Sequence, residues 1–341
     1  TLGNTDLKVS LICLGTMTWG EQNTQEEAFE QMDYSLDQEV NFFDTAELYS
    51  IPTKENTYTR TETIIGNWFA ERKNREKVIL ATKVAGPGLS WIRGGGNQFD
   101  TKNITQALEG SLQRLKTDYI DLYQLHWPER QTNFFSKLGY KHNNNEGSWT
   151  AFEDILATAQ KFVDQGKIRH LGLSNETPWG TMKFLYHSDI SSTPRVQSIQ
   201  NAYNLLNRTF EIGGSEIAHR EDVGLLAYSP IAQGYLSGKY QNGALPKGSR
   251  KELFNRLQRY EGPYAEEAIE AYLNIAKKYE IDPSQLANQF VTTRPFVTSN
   301  IIGATNMEQL KLAVTSIDIK LTKEIEEDIE KAYQRHGNVA S

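Results

Sequence analysis

"FEDILATAQKFVDQGKIRH", residues 152–170, keeps apolar residues at helical spacing as far as Gly166 and then passes, without a linker, into a strand-like run. A glycine just past the last apolar turn is a helix stop signal, because it enters the left-handed conformation at no steric cost. One helix therefore feeds directly into one strand. The same unit can be followed in both directions along the chain.

Short apolar or β-branched runs recur as "VSLICLG", "VNFFDTA", "KVILATKV", "YIDLYQLHW", "KIRHLGLSN", "RVQSIQNAY", "VGLLAYSP" and "SNIIGAT". Segments of helical period lie between most of them. In "TKNITQALEGSLQRLKTD" the stripe is Ile104, Leu108, Leu112 and Leu115; in "TQEEAFEQMDYSLDQ" it is Ala28, Met32, Tyr34 and Leu36. Strand–helix alternation repeated eight times predicts parallel strands with helical crossovers, and over this length a (β/α)8 TIM barrel. "TLGNTDLKVS" reads as an N-terminal β-hairpin over the barrel floor. Long loops are expected after strand 4 (127–149) and strand 7 (230–262). No linker divides the chain, so residues 1–341 are read as one domain.

The totals narrow the function. A net charge of −7 on 341 residues argues against nucleic acid or an anionic membrane as partner. The single cysteine, Cys13, excludes a disulfide framework or a Cys-based metal cluster. The six histidines include no H-x-x-x-H pair, so no metal is expected. With no membrane-length apolar run and no signal peptide, the expected location is cytoplasmic. Monomer and homo-oligomer both stay open.

Three strands end on chemistry. "NFFDTAELY" (41–49) brings Asp44 and Tyr49, "VILATKV" ends near Lys83, and "IDLYQLHWP" ends near His126. Barrel active sites lie at the carboxyl ends of the strands. Singly, these residues have ordinary readings as a turn cap, a rim aromatic, a solvated lysine and a hydrogen-bonded histidine. At the ends of three successive strands they form a set. A lysine ammonium beside Tyr49 is expected to lower the phenol's pKa, with Asp44 keeping Lys83 charged and His126 donating to a developing oxyanion. Glu47, with no evident partner, is expected at the surface. A hydrolase using Asp44 and Glu47 would leave Lys83 without a role. No side chain supplies a nucleophile, so a hydride cofactor is the missing part. No G-x-G-x-x-G fingerprint opens a helix, which speaks against a Rossmann domain, and "RGGGNQ" (93–98) is read as a mobile loop.

At this point the sequence resembles the aldo-keto reductases. "LGTMTWG", "NFFDTAELY", "ATKV", "DLYQLHWP", "GLSN", "QNAYNLL", "AYSPIAQGYLSGKY" and "IIGATNMEQL" stand in that family's order over almost the whole chain. The likeness is greatest to its bacterial Tas-type members, with the potassium-channel β-subunits more distant. The resemblance implies an NADPH-dependent oxidoreductase that reduces aldehydes or ketones to alcohols. Tyr49 would be the general acid, tuned by Asp44 and Lys83, and His126 would orient the carbonyl. The alternative is an NADP(H)-sensing regulatory subunit, which the filled His126 position disfavours.

The same resemblance assigns the cofactor contacts. Ser174, Asn175 and Gln200 would hold the nicotinamide carboxamide, Tyr203 would stack on its ring, and Thr16, Met17 and Thr18 would border its ribose. The turn of Tyr228, Ser229, Pro230 and Ile231, continued by Ala232, Gly234 and Leu236, would let backbone N–H groups approach a pyrophosphate. Lys239, Arg250 and Arg256 would meet phosphates, and a bidentate arginine would favour NADP over NAD. Lys247 and Lys251 are read as solvated. Gly303, Thr305 and Gln309 match after strand 8. Leu312 and Ala313 depart from the family's adenine-binding pair, which leaves stacking on Arg or Tyr to hold the base. The carbonyl substrate is expected against Trp127, with Phe134, Phe135 and Tyr140 as further walls, in a broad and open site.

Overall fold

The structure is a computed structural model describing residues 1–135, 137–255 and 258–340. Eight parallel strands close into a barrel in sequence order: β1 (Ile12–Gly15), β2 (Phe42–Asp44), β3 (Ile79–Val84), β4 (Ile120–Leu125), β5 (Ile168–Ser174), β6 (Val196–Ala202), β7 (Gly224–Tyr228) and β8 (Val297–Ile302). Helices α1 (Gln25–Asp37), α2 (Arg60–Arg72), α3 (Thr101–Leu115), α4 (Phe152–Asp164), α5 (Pro178–Ser191) and α6 (Gly214–Arg220) each follow the strand of the same number. Between β7 and β8 lie α7 (Arg250–Phe254), α8 (Ala265–Lys278) and α9 (Pro283–Thr292); α10 (Met307–Val314) and α11 (Lys323–His336) follow β8. The chain is thus the expected (β/α)8 barrel, and α8 and α11 pack on each other beside it.

Local chemistry sets the element ends. Thr24 and Glu27 form a reciprocal capping box at the start of α1, and Asp100 caps α3 through the Asn103 N–H. Gly166, at φ 68°, ends the α4 turn as the sequence requires. The buried face of α1 differs from the expected one: it is Ala28, Gln31, Met32 and Ser35, with Tyr34 and Leu36 only half-buried. Gln31 is tolerated inside because its Oε1 accepts the Trp19 indole N–H at 3.0 Å.

The barrel interior is filled from the floor upward. Leu2, Leu7, Cys13, Phe42, Ala81, Leu122, Leu226 and Ile301 form a separate apolar cluster. Large side chains buried in this way each stabilise the fold by about 1.5–3 kcal/mol. The N-terminal hairpin is not formed. Residues 1–10 make a turn closed by the Leu2 N–H on the Leu7 carbonyl (2.9 Å), and no strand precedes β1 among the described residues. Its backbone is satisfied instead by β6, where the Gln197 side chain accepts from the Asn4 N–H at 2.9 Å. Leu2 and Leu7 still cover the floor. Among the described residues, no helix is long and apolar enough to cross a membrane.

Candidate active site

Above the apolar floor the inward positions turn polar. A strand's side chains alternate faces, so Phe42 and Asp44, Ala81 and Lys83, and Leu122, Gln124 and His126 share the inner face. Lys83 is fully buried and its Nζ donates to Asp44 Oδ2 at 2.6 Å and to the Thr45 carbonyl at 2.8 Å. The same Nζ stands 3.4 Å from the Tyr49 hydroxyl and 4.9 Å from the centre of its ring. Tyr49 is half-buried at the mouth, and its ring meets that of His126 edge-on at 5.7 Å.

Asp44 has a second set of partners. Its Oδ1 accepts from Gln124 Nε2 at 3.1 Å and Gln200 Nε2 at 2.8 Å, and Gln200 also donates to Gln124 Oε1 at 3.1 Å. Gln124 was not singled out from the sequence, although its place two residues before His126 gave its direction. Gly172 makes room for it, since a Cβ there would lie 2.8 Å from Ser198 Oγ and 3.2 Å from Gln124 Cγ.

The electrostatics partly correct the expectation. Burial raises the Tyr49 pKa and outweighs the opposing pull of Lys83, while Asp44 adds to the rise. Tyr49 is therefore a protonated phenol at neutral pH in this state. Burial alone would strip the Lys83 charge, but Asp44 and then Tyr49 more than restore it, and its pKa is raised. For His126, burial first and the Lys83 charge second push the pKa well below 6.5. The ring is neutral, and its Nδ1 is buried without a hydrogen-bond partner among the described residues. The unfolded chain takes up this proton below about pH 6.5, whereas the folded chain does so only at lower pH. Stability contributed here therefore falls as pH drops from 6.5 toward the folded value. Between about pH 7 and pH 5, urea unfolding of His126→Gln is expected to show a smaller acid loss than the native chain, the difference reaching about 1.4 kcal/mol per pH unit at most.

Glu47 is not at the surface. It is 1% exposed and accepts from the Tyr58 hydroxyl and the Ala85 N–H, each at 2.9 Å, and pairs with Arg93. Arg93 thus anchors "RGGGNQ" to the segment carrying Tyr49, and the loop packs with Ile92 and Asn97 buried. Glu47→Gln leaves Arg93 without its countercharge and is expected to cost about 2 kcal/mol in denaturant unfolding.

The cofactor candidates divide by strand phase. Ser174 Oγ donates to the Gln200 carbonyl at 3.1 Å, and Asn175 Nδ2 to the His126 carbonyl at 2.9 Å. Asn175 Oδ1 accepts from the Tyr228 hydroxyl at 2.7 Å. Tyr203 is not at the mouth. Three residues past inward-facing Gln200, it points outward, stacks on Phe290 at 5.9 Å, bonds Glu211 through its hydroxyl and is fully buried. Tyr228, two residues past inward-facing Leu226, is the aromatic beside the centre. Thr16 is buried, with its Oγ1 donating to the Asp44 carbonyl at 2.9 Å. Thr18 donates to Asn23 Oδ1, and Asn23 in turn donates to the Thr305 carbonyl.

The turn after β7 runs through positive φ at Ser229 (60°), Ala232 (49°), Gln233 (57°) and Gly234 (101°). The N–H groups of Ala232, Gly234 and Leu236 are taken up by the Ser229 and Ile231 carbonyls, which corrects the expectation that they point to a pyrophosphate. Pro230 and Leu236 are buried and Ile231 is half-buried. The charge comes from Lys239 instead: a Cβ at Gly234 would lie 2.8 Å from its Nζ. Arg250 reaches across the mouth to Met17 Sδ at 4.0 Å, and its charge is felt at Tyr49. Lys251 is half-buried and pairs with Glu261 at 2.6 Å, so it is not the free solvated cation expected. Arg256 lies outside the described residues. After β8, a Cβ at Gly303 would meet nothing within 4 Å, and Gln309 Oε1 accepts from the Thr305 N–H at 3.0 Å. Leu312 is half-buried and Ala313 joins the core. These cations and this open backbone can hold a dinucleotide phosphate.

Trp127 packs behind the pair, its ring 5.0 Å from His126 and its indole N–H on the Pro87 carbonyl at 3.0 Å. Phe134 and Phe135 join it, while Tyr140 is 54% exposed and meets only His142 among the aromatic rings. Trp91, unremarked in the sequence, packs on Tyr58 in the same cluster as Tyr49.

The fold and site are a closed parallel barrel with a phenol, a buried lysine–aspartate pair and a histidine grouped at its mouth. The comparisons with known proteins give the family. The Aldo/keto reductase family model matches residues 11–334, and the chain belongs to that family. It is 45% identical over 333 residues to Protein tas of Escherichia coli (strain K12), covering 97% of this chain and 96% of that one. It is 41% identical to an aldo-keto reductase of Babesia bovis over 249 residues, 69% of this chain and 87% of that one. Uncharacterized oxidoreductase YrpG of Bacillus subtilis (strain 168) is 34% identical over 332 residues, 95% of this chain and 92% of that one.

Proposed function

We propose that the protein reduces aldehydes or ketones to alcohols with NADPH, and that Tyr49 is the proton donor. The observation that carries this reading is the Tyr49 hydroxyl, held at the open mouth 3.4 Å from a buried, paired Lys83 ammonium. When bound, NADPH supplies the hydride to the carbonyl carbon. Tyr49 delivers its proton to the carbonyl oxygen, and the charge left on the phenolate is stabilised by Lys83. Asp44 keeps Lys83 charged, and Gln124 and Gln200 fix Asp44. Neutral His126 donates to the same oxygen and orients it. Ser174 and Asn175 would hold the nicotinamide amide, with Tyr228 against its ring. Lys239 and Arg250 would meet the phosphates and favour NADPH.

The test is NADPH absorbance with 4-nitrobenzaldehyde and a panel of other carbonyls, with NADH run in parallel. Turnover that is faster with NADPH is expected. NADPH binding without turnover across the panel would overturn the reductase reading in favour of a cofactor sensor.

A further inference from the structure

Beside the catalytic centre lies a second hollow of about 250 Å3, approaching the ~300–1,000 Å3 of ordinary small-molecule sites. It runs outward from Asn175 and Tyr228, between the loop after β4, the start of α5 and the segment from β6 to α6. Its walls are mainly apolar: Phe134, Phe135, Leu138, Phe210, Ile212 and Ile217. Leu138 and Ile212 are 64% and 73% exposed, so apolar surface is left uncovered at its rim.

The charges in this hollow are unequal. Its one carboxylate, Glu176, is held by both terminal nitrogens of Arg130 and by the Thr177 N–H. The two cations, Arg259 and Lys137, pair with no carboxylate among the described residues. Arg259 stands beside the Tyr228 and Tyr260 hydroxyls, where its charge opposes the rise that burial gives their pKa values, and neutral phenols leave that charge uncompensated. From Tyr228 the hydrogen bonds continue to Asn175 and on to the His126 carbonyl. An anion on Arg259 would therefore lie beside a chain of hydrogen bonds that ends on the His126 backbone.

We propose that this hollow seats the distal part of the substrate, and that the enzyme takes carbonyl compounds whose apolar body ends in a carboxylate held by Arg259. The proposal rests on the reductase reading above for its chemistry and on the hollow for its specificity. A charge-assisted, two-pronged contact to a carboxylate gives about a tenfold or greater preference over a neutral amide.

The experiment compares 6-(4-formylphenoxy)hexanoate with the corresponding hexanamide under steady-state conditions. The native enzyme is expected to show a KM about tenfold lower for the acid, with similar kcat. That ratio should collapse toward one in Arg259→Gln, recover in part in Arg259→Lys, and shrink in Ile212→Asp, which places a repelling carboxylate on the rim. A native ratio near one, or a ratio unchanged by Arg259→Gln, overturns the inference. So does a rise confined to the KM for NADPH, which would assign Arg259 to the dinucleotide. If neither aldehyde turns over, the reductase reading fails separately, and calorimetric binding of 6-phenoxyhexanoate and 6-phenoxyhexanamide decides the hollow. Acid binding that is about tenfold tighter and lost in Arg259→Gln supports the site; equal binding overturns it.

Discussion

Tyr49→Phe is expected to lower kcat for carbonyl reduction about a thousandfold, with the affinity for NADPH unchanged. The substitution removes only the hydroxyl that faces Lys83 at 3.4 Å, and general acid catalysis is worth about 10²–10⁴ in rate. The ring keeps its place against His126, and the Lys83–Asp44 pair keeps its other contacts. A loss in kcat with an intact dissociation constant for NADPH, measured by fluorescence titration, assigns the proton to Tyr49. Retained turnover would move the donor to His126. Burial raises the Tyr49 pKa, so this phenol is protonated throughout the neutral range. The rate should fall only as alkaline pH removes that proton.

Lys83→Met is expected to destabilise the fold by about 3–5 kcal/mol, because it leaves a carboxylate uncompensated inside the barrel. Lys83 is fully buried and the Asp44 side chain 3% exposed, so water can do little to compensate either charge. Asp44→Asn with Lys83→Met removes both charges and should recover much of the loss, since a matched neutral pair costs less than one orphaned ion. Urea unfolding of the two single variants and the double variant measures this coupling; additive losses would show that the charges act independently. The sign of the pH effect follows from the raised Lys83 pKa. The stabilisation is complete below the ordinary value of 10.5 and disappears as pH climbs through the higher folded value. A native stability curve that is flat above pH 10.5 relative to Lys83→Met would contradict the pairing.

Particular residues show where the sequence was legible. Asp44, Lys83 and His126 could be found because each stands at the end of an apolar run, and an apolar run of this length has a known direction. The same alternation gave the direction of Gln124, which was passed over because glutamine has no titratable chemistry to attract notice. It also bears on Tyr203, since an odd offset from inward Gln200 points outward. Tyr203 was named through family likeness and not through strand phase. Glu47 could not be read at all. Its burial depends on Arg93, 46 residues later, folding back over it, and no local pattern carries that information.

Periodicity, glycine stops and the order of strand and helix were enough to determine an eight-stranded parallel barrel and the end of it that carries polar groups. These are properties of neighbouring residues, and backbone geometry converts them directly into structure. The hydrogen-bond partners of Asp44, the outcome at Tyr49 where burial outweighs Lys83, the internal closure of the β7 turn and the hollow beside Arg259 required the closed barrel. Each depends on groups distant in sequence meeting at one dielectric boundary, and the energy of a charge there is set by what surrounds it in three dimensions.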